Sequence, residues 1–249
     1  MKSAYVLLAA VTILSSAACD AKKGNATESS APIKAVAPPK GGDWTKMVSQ
    51  TDAGGFVMGN PNADVKLIEY GSMTCPHCAE FNEKGVAPLI ANYVKSGRVS
   101  YEFRNFVRDP LDLTMSLITR CAGPERFFVV TDALYKDQRS IFDTLQGTSK
   151  EQQEQLQQLP PEQQFARYAQ LAGLQQWAAQ RGLPSAKTSA CLANQQEVNR
   201  LVQMNNDTTN QYSQFTGTPG FVINGKFVEE TATWDKLEPQ LREALGERG

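Results

Sequence analysis

Five cysteines and a single histidine are the most reactive side chains in this 249-residue sequence, and three of these six lie in one tetrapeptide, Cys75-Pro76-His77-Cys78. Two cysteines separated by two residues at the start of a helix can form and break an internal disulfide. One turn brings the sulfurs together while only the first is open to attack. Cys75 would then face unpaired backbone N–H groups and the positive end of the helix dipole, which favour its thiolate, and a protonated His77 would add positive charge. A stabilised thiolate stabilises the dithiol form, so the disulfide form becomes the stronger oxidant. The motif therefore points to disulfide donation through a mixed disulfide on Cys75. Disulfide isomerisation or reduction, and a redox-inert peptide-binding chaperone, are the alternatives. A structural zinc site usually takes four protein ligands, and one histidine without a second Cys-x-x-Cys falls short of that. No metal and no other cofactor is expected.

The remaining cysteines have other uses. Cys121 and Cys191 either pair across the base of a helical segment or stay as two buried thiols. Paired, they close a loop of 191 − 121 = 70 residues, which would stabilise the fold by about 4 kcal/mol in the chain-entropy model. Cys19 follows Lys2, an apolar run from Ala4 to Leu14 and the small residues Ser15 to Ala18, the pattern of an export signal. Ser16-Ala17-Ala18-Cys19 also resembles the bacterial lipobox, with Ser16 where leucine is usual. Cys19 is accordingly either a lipidated N-terminus that tethers the protein to a membrane or part of a removed leader. Export to a periplasm would put the other cysteines where disulfides persist. The near-neutral net charge of −1 offers no basic surface for nucleic acid.

The elements that must position the tetrapeptide follow from pattern. Residues 20–54 are rich in Lys, Ala, Ser, Gly and Pro and read as a flexible linker and lead-in. Phe56 to Met58 and Val65 to Tyr70 are apolar runs split by Gly59-Asn60-Pro61-Asn62, two strands with a turn between them. The second runs into Cys75. Ala79, Phe81, Val86, Leu89, Ile90, Tyr93 and Val94 then recur at helical spacing up to Gly97, with Pro88 expected to kink the helix. Val99 to Phe106 alternates as a strand, closing a β-α-β unit with parallel strands.

From residue 111 to 215 the sequence is helical almost throughout, with Phe165, Tyr168, Ala169, Ala172 and Ala179 forming one helix's apolar stripe. Residues 216–249 return to strands: Phe221 to Ile223, the turn Asn224-Gly225, Lys226 to Val228, and a final amphipathic helix through Trp234, Leu237, Leu241 and Leu245. The fold class is α/β, with a helical insertion 111–215 between a first half at 55–110 and a second half at 216–249.

Cys75-Pro76-His77-Cys78, following the strand Leu67 to Tyr70, resembles the active site of the thioredoxin-fold DsbA proteins. Gly217-Thr218-Pro219 before the Phe221 to Lys226 hairpin looks like that family's cis-proline loop, and the insertion falls where the family places one. The resemblance covers about residue 55 to the C-terminus. It implies a thioredoxin fold whose β-α-β and β-β-α halves flank the insertion, and a cis Pro219 that, with Thr218, offers backbone groups to a substrate. It also implies that Glu69, six residues before Cys75, is the buried acid that relays a proton to or from Cys78. The expected substrates are unfolded or reduced exported proteins, a DsbB-like membrane oxidase would re-oxidise the pair, and the protein would act as a monomer.

Overall fold

The computed structural model describes residues 32–247. The signal segment, Cys19 and the start of the linker lie outside the described residues.

Among the described residues the chain builds one six-stranded sheet and nine helices. The strands are β1 (Val48–Gln50), β2 (Phe56–Gly59), β3 (Val65–Gly71), β4 (Val99–Asn105), β5 (Gly220–Ile223) and β6 (Lys226–Val228), in the spatial order β1-β2-β4-β3-β5-β6. Only β3 and β4 run parallel, with Glu69 opposite Phe103, and every other pairing is antiparallel. The parallel pair is the one joined through a helix, because a crossover needs that much chain. β1, which the sequence pattern did not reveal, extends the sheet by pairing with β2 over three residues.

Helix α1 spans residues 76–94 and joins β3 to β4. Pro88 does not end it. Turns of α-helix at Pro76–Phe81 and Ala87–Leu89 alternate with π turns at Asn82–Val86 and Ile90–Val94, so the wider turns absorb a residue that has no N–H to donate. Gly97, at φ +72, stops the helix by donating its N–H to Val94 O. The insertion comprises α2 (Pro110–Arg120), α3 (Pro124–Gln146), α4 (Lys150–Gln158), α5 (Pro161–Leu171), α6 (Leu174–Gln180), α7 (Ser185–Leu192) and α8 (Gln195–Gln211). The stripe from Phe165 to Ala179 belongs to two helices, since Gly173 at φ +68 breaks the chain between α5 and α6. The last helix, α9, is Trp234–Ala244.

One sheet face, carrying Leu67, Tyr101, Phe221 and Ile223, packs on Phe81 and Leu89 of α1 and on Leu237 and Leu241 of α9. A second core, inside the insertion, reaches the tetrapeptide: Met73, Cys75 and Cys78 pack with Met115, Phe127, Leu134 and Tyr135. The opposite sheet face is covered by a small aromatic cluster of Tyr70, Tyr212, Phe215 and Phe227. At the β5–β6 hairpin Asn224 and Gly225 both have positive φ, 49° and 79°, the two-residue turn whose twist suits a hairpin.

The linker expected over 20–54 needs correction in its second half. Ile33 N–H donates to Leu245 O (2.9 Å) and Val36 N–H to Ser96 O (2.9 Å). The Trp44 indole, 6% exposed, donates to Val36 O at 2.8 Å. From residue 32 the chain is strapped to the ends of α1 and α9. Composition missed this because the ties at Ile33 and Val36 are backbone hydrogen bonds, which composition does not register.

Candidate active site

Cys75 is the N-cap of α1, with an extended backbone (φ −85°, ψ 120°) and Pro76 at the first helical position. Proline suits that place because the helix has no use for its missing N–H. The loop Ser72–Thr74 brings the chain there from β3. A side chain at Gly71 would strike the Phe103 ring at 2.5 Å, so the strand must end on a residue without Cβ. Both sulfurs are reduced. Cys78 is fully buried and Cys75 is itself only 3% exposed, which corrects the expectation of an open first cysteine. The Thr218–Pro219 loop covers it, and the Cys75 thiol meets Thr218 O at 3.1 Å. The Thr218–Pro219 peptide is cis.

The two thiols are driven apart in acidity. Cys75 is pushed down to about 5, chiefly by the Cys78 thiol donating to it and then by the N–H groups of Cys78 and His77, against the effect of burial. Burial pushes Cys78 well above the usual thiol range, helped by that same shared hydrogen bond and by the charge of Glu69, with the Ser72 N–H opposing. The proton of the pair therefore resides on Cys78. His77 acts differently from expectation: its side chain is 72% exposed, 3.9 Å from Glu80, and its contribution to Cys75 comes from its backbone N–H.

Glu69 is 1% exposed and points into the fold beneath the pair. Burial raises its carboxyl to about 8, opposed by the Tyr101 hydroxyl that donates to its Oε2. A carboxyl in this range exchanges protons near neutral pH. Tyr101 lies on β4, two residues from the Phe103 that pairs with Glu69. No local motif marks it.

Three further residues hold the loop before Cys75, and sequence reasoning did not single them out. Asp112, fully buried, accepts from Met73 N–H (2.8 Å), Ser72 Oγ (2.6 Å) and Arg108 N–H (2.9 Å). From α3, Gln138 Nε2 donates to Met73 O and Cys75 O at 2.8 and 3.2 Å. The Tyr135 hydroxyl donates to Ser72 O at 3.2 Å. The available signal was Asp109-Pro110, a helix start that puts Asp112 in the first turn of α2. Cys121 and Cys191 are joined in a disulfide, with Cα atoms 5.9 Å apart, that ties the end of α2 to α7.

A nucleophilic sulfur with a buried partner one turn away, a neighbouring carbonyl edge and a buried acid can carry out thiol–disulfide exchange. Comparison with known proteins agrees. A family model described as Thioredoxin matches residues 51–243. The crystal structure of protein-disulfide isomerase from Novosphingobium aromaticivorans is 32% identical, covers 76% of this chain and 96% of its own, and superposes with a TM-score of 0.72. Wolbachia pipientis alpha-DsbA1 shares the fold at 19% identity, covering 80% of this chain and 94% of its own, with a TM-score of 0.62. A Rickettsia prowazekii (strain Madrid E) chain provisionally named a protein-disulfide oxidoreductase is 25% identical over 201 residues, 81% of this chain. This chain spans only 65% of that relative's length. By the family model over residues 51–243 and by a 32%-identical relative whose chain is matched over 96% of its length, the chain belongs to the Thioredoxin family, with a DsbA-like fold.

Proposed function

We propose that this protein donates disulfide bonds to reduced polypeptides after export. The observation that carries the reading is the acidity of Cys75, held near 5 while Cys78 is held far above it. A thiolate this stable makes the dithiol the favoured state and the disulfide a strong oxidant. In the forward reaction a substrate thiolate attacks Cys75 Sγ of the Cys75–Cys78 disulfide. The S–S bond breaks, and Cys78 leaves as a thiolate that takes up a proton, with Glu69 as its carrier. A second substrate thiolate then attacks the substrate sulfur of the mixed disulfide and expels Cys75. The substrate loses two electrons and two protons; the pair gains the two electrons and one proton, on Cys78, while Cys75 leaves as a thiolate and the second proton goes to solvent. Thr218 and the cis Pro219 present their backbone to an extended substrate beside the sulfur, and a DsbB-like membrane oxidase takes the electrons onward.

The leader and Cys19 support a periplasmic site of action, with a lipid on Cys19 as the tether. A monomer suffices, because every group named above lies in one chain. Isomerisation is the second reading, favoured by the name of the Novosphingobium relative. Equilibration of Cys75–Cys78 with glutathione tests the proposal. A potential at or above about −150 mV is expected, and one near the thioredoxin value of about −270 mV would overturn donation. Reactivation of a scrambled substrate faster than oxidation of a reduced one would favour isomerisation.

A further inference from the structure

We propose that Asp112 is a positioning residue for the redox pair: from the first turn of the insertion it fixes the Ser72–Thr74 loop, whose backbone touches both cysteines. That loop is the direct link between the cysteines and the rest of the fold. Ser72 N–H donates to Cys78 Sγ at 3.5 Å, and Cys75 N–H donates to Ser72 O at 3.2 Å. The loop lies outside the strands and helices, so its polar groups must find partners elsewhere.

Asp112 supplies them on one side. Its Oδ1 receives Met73 N–H and, at 3.4 Å, Ser116 Oγ, while its Oδ2 receives the Ser72 hydroxyl and Arg108 N–H. Gln138 and Tyr135 grip the carbonyls of the same loop from α3. A buried carboxyl is costly unless its oxygens are satisfied, and here donors surround both. Asparagine does not replace it, because in either orientation its NH₂ faces a backbone N–H, that of Met73 or of Arg108, which can only donate. Burial pushes the Asp112 carboxyl up to about 7, the hydrogen bonds from Ser72, Arg108 N–H and Met73 N–H oppose it, and the nearby Asp109 charge adds to the rise. The donors it does satisfy all belong to the approach to Cys75 or to its own helix entry.

Releasing the loop would carry Ser72 N–H away from Cys78 and let Cys75 leave its N-cap geometry. Both changes weaken the reduced form. A purely electrostatic role predicts no rise: with its carboxyl held up to about 7, Asp112 is largely protonated where Cys75 titrates, and removing what negative charge remains would favour the Cys75 thiolate. The sign of the change therefore separates positioning from charge.

The test uses the full chain in four forms: wild type, Asp112→Asn, Ser72→Ala, and Val198→Ala in α8, a buried apolar site that makes no hydrogen bond to the loop. The 240 nm absorbance of the reduced protein gives the Cys75 titration midpoint, glutathione equilibration gives the redox constant, and thermal unfolding gives stability. Asp112→Asn is expected to raise the midpoint by about one pH unit and to shift the redox constant about tenfold toward the disulfide, about 30 mV. Ser72→Ala should shift both in the same direction by less, and Val198→Ala should lower the melting temperature while moving neither. A melting loss in Asp112→Asn with unchanged midpoint and constant would overturn the proposal, as would a lowered midpoint. Should Asp112→Asn fail to fold, Ser72→Ala decides: no shift overturns it. The inference rests on Cys75 and Cys78 being the redox pair, and not on the direction in which they work. The wild-type potential tests donation, and only the differences between forms test Asp112.

Discussion

Cys75 and Cys78 are one helical turn apart, yet their surroundings drive their thiols in opposite directions, and the largest single influence on each is burial or the other sulfur. Cys78→Ala removes the donor that most stabilises the Cys75 thiolate, so the 240 nm midpoint of Cys75 should rise clearly, whereas His77→Ala should move it less. The reverse ranking would return the control to the imidazole. Glu69 offers a second test through stability. Burial holds its folded-state value near 8, above the ordinary carboxylate value of 4.5, so the protonated form is favoured by folding. The stability it contributes is full below about 4.5 and is lost as pH rises through 8. Glu69→Gln has no such loss. Its stability relative to wild type should therefore grow between pH 4.5 and 8 and then level off, as denaturant unfolding at several pH values would read. Both cysteines were legible because the motif is local and its spacing carries the chemistry. Tyr101, Asp112 and Gln138 were not, because they reach the site from other strands and helices, and nothing in their own neighbourhoods marks them.

Helices and strands were legible where periodicity was strong. The strand into Cys75, the hairpin at Asn224-Gly225 and the terminal helix stand where pattern put them. β1 has three residues, none of them fully buried, too few to show a period, and the break at Gly173 is hidden because the apolar stripe continues across it. Among the elements of the insertion, α2 does the most for the site. It begins with the Asp109 cap and Asp112 at the cysteines and ends at Cys121, where the disulfide fastens it to α7. Cys121→Ala with Cys191→Ala opens a 70-residue loop, and the loss expected from chain entropy is about 4 kcal/mol. Guanidinium unfolding of the double variant measures it directly. A loss below about 1 kcal/mol would mean that packing of α2 against its neighbours already restricts the unfolded chain. The active pair stays in place in either case, since the loop before it is held by side chains near the start of α2 and in α3.

At the scale of the whole molecule, the thioredoxin core is closed by a segment that composition assigned to a linker. Few of the residues from 32 to 43 are large and apolar, and composition alone gives such a stretch no reason to order. What orders it is the geometry of its surroundings. Ser96 and Leu245, at the ends of α1 and α9, present carbonyls that the helices cannot use, and Val36 and Ile33 satisfy them. Trp44 then seats its indole against Gly97, where a Cβ would come within 2.5 Å of Nε1. The strap thus joins the two helices that cover one face of the sheet, and it continues through Met47 O, which accepts from Gly59 N–H at 3.0 Å, into β1. Trp44→Ala should cost about 3 kcal/mol, a fall of about 6–12 °C in melting temperature for a chain of this size. A chain begun at residue 48 should lose at least as much, while the Cys75 titration stays at its wild-type midpoint, because the strap touches no group of the active loop. A tether serving only reach would leave the melting temperature of both variants unchanged. That result would return residues 32–47 to the linker and leave the covering helices to hold the sheet face unaided.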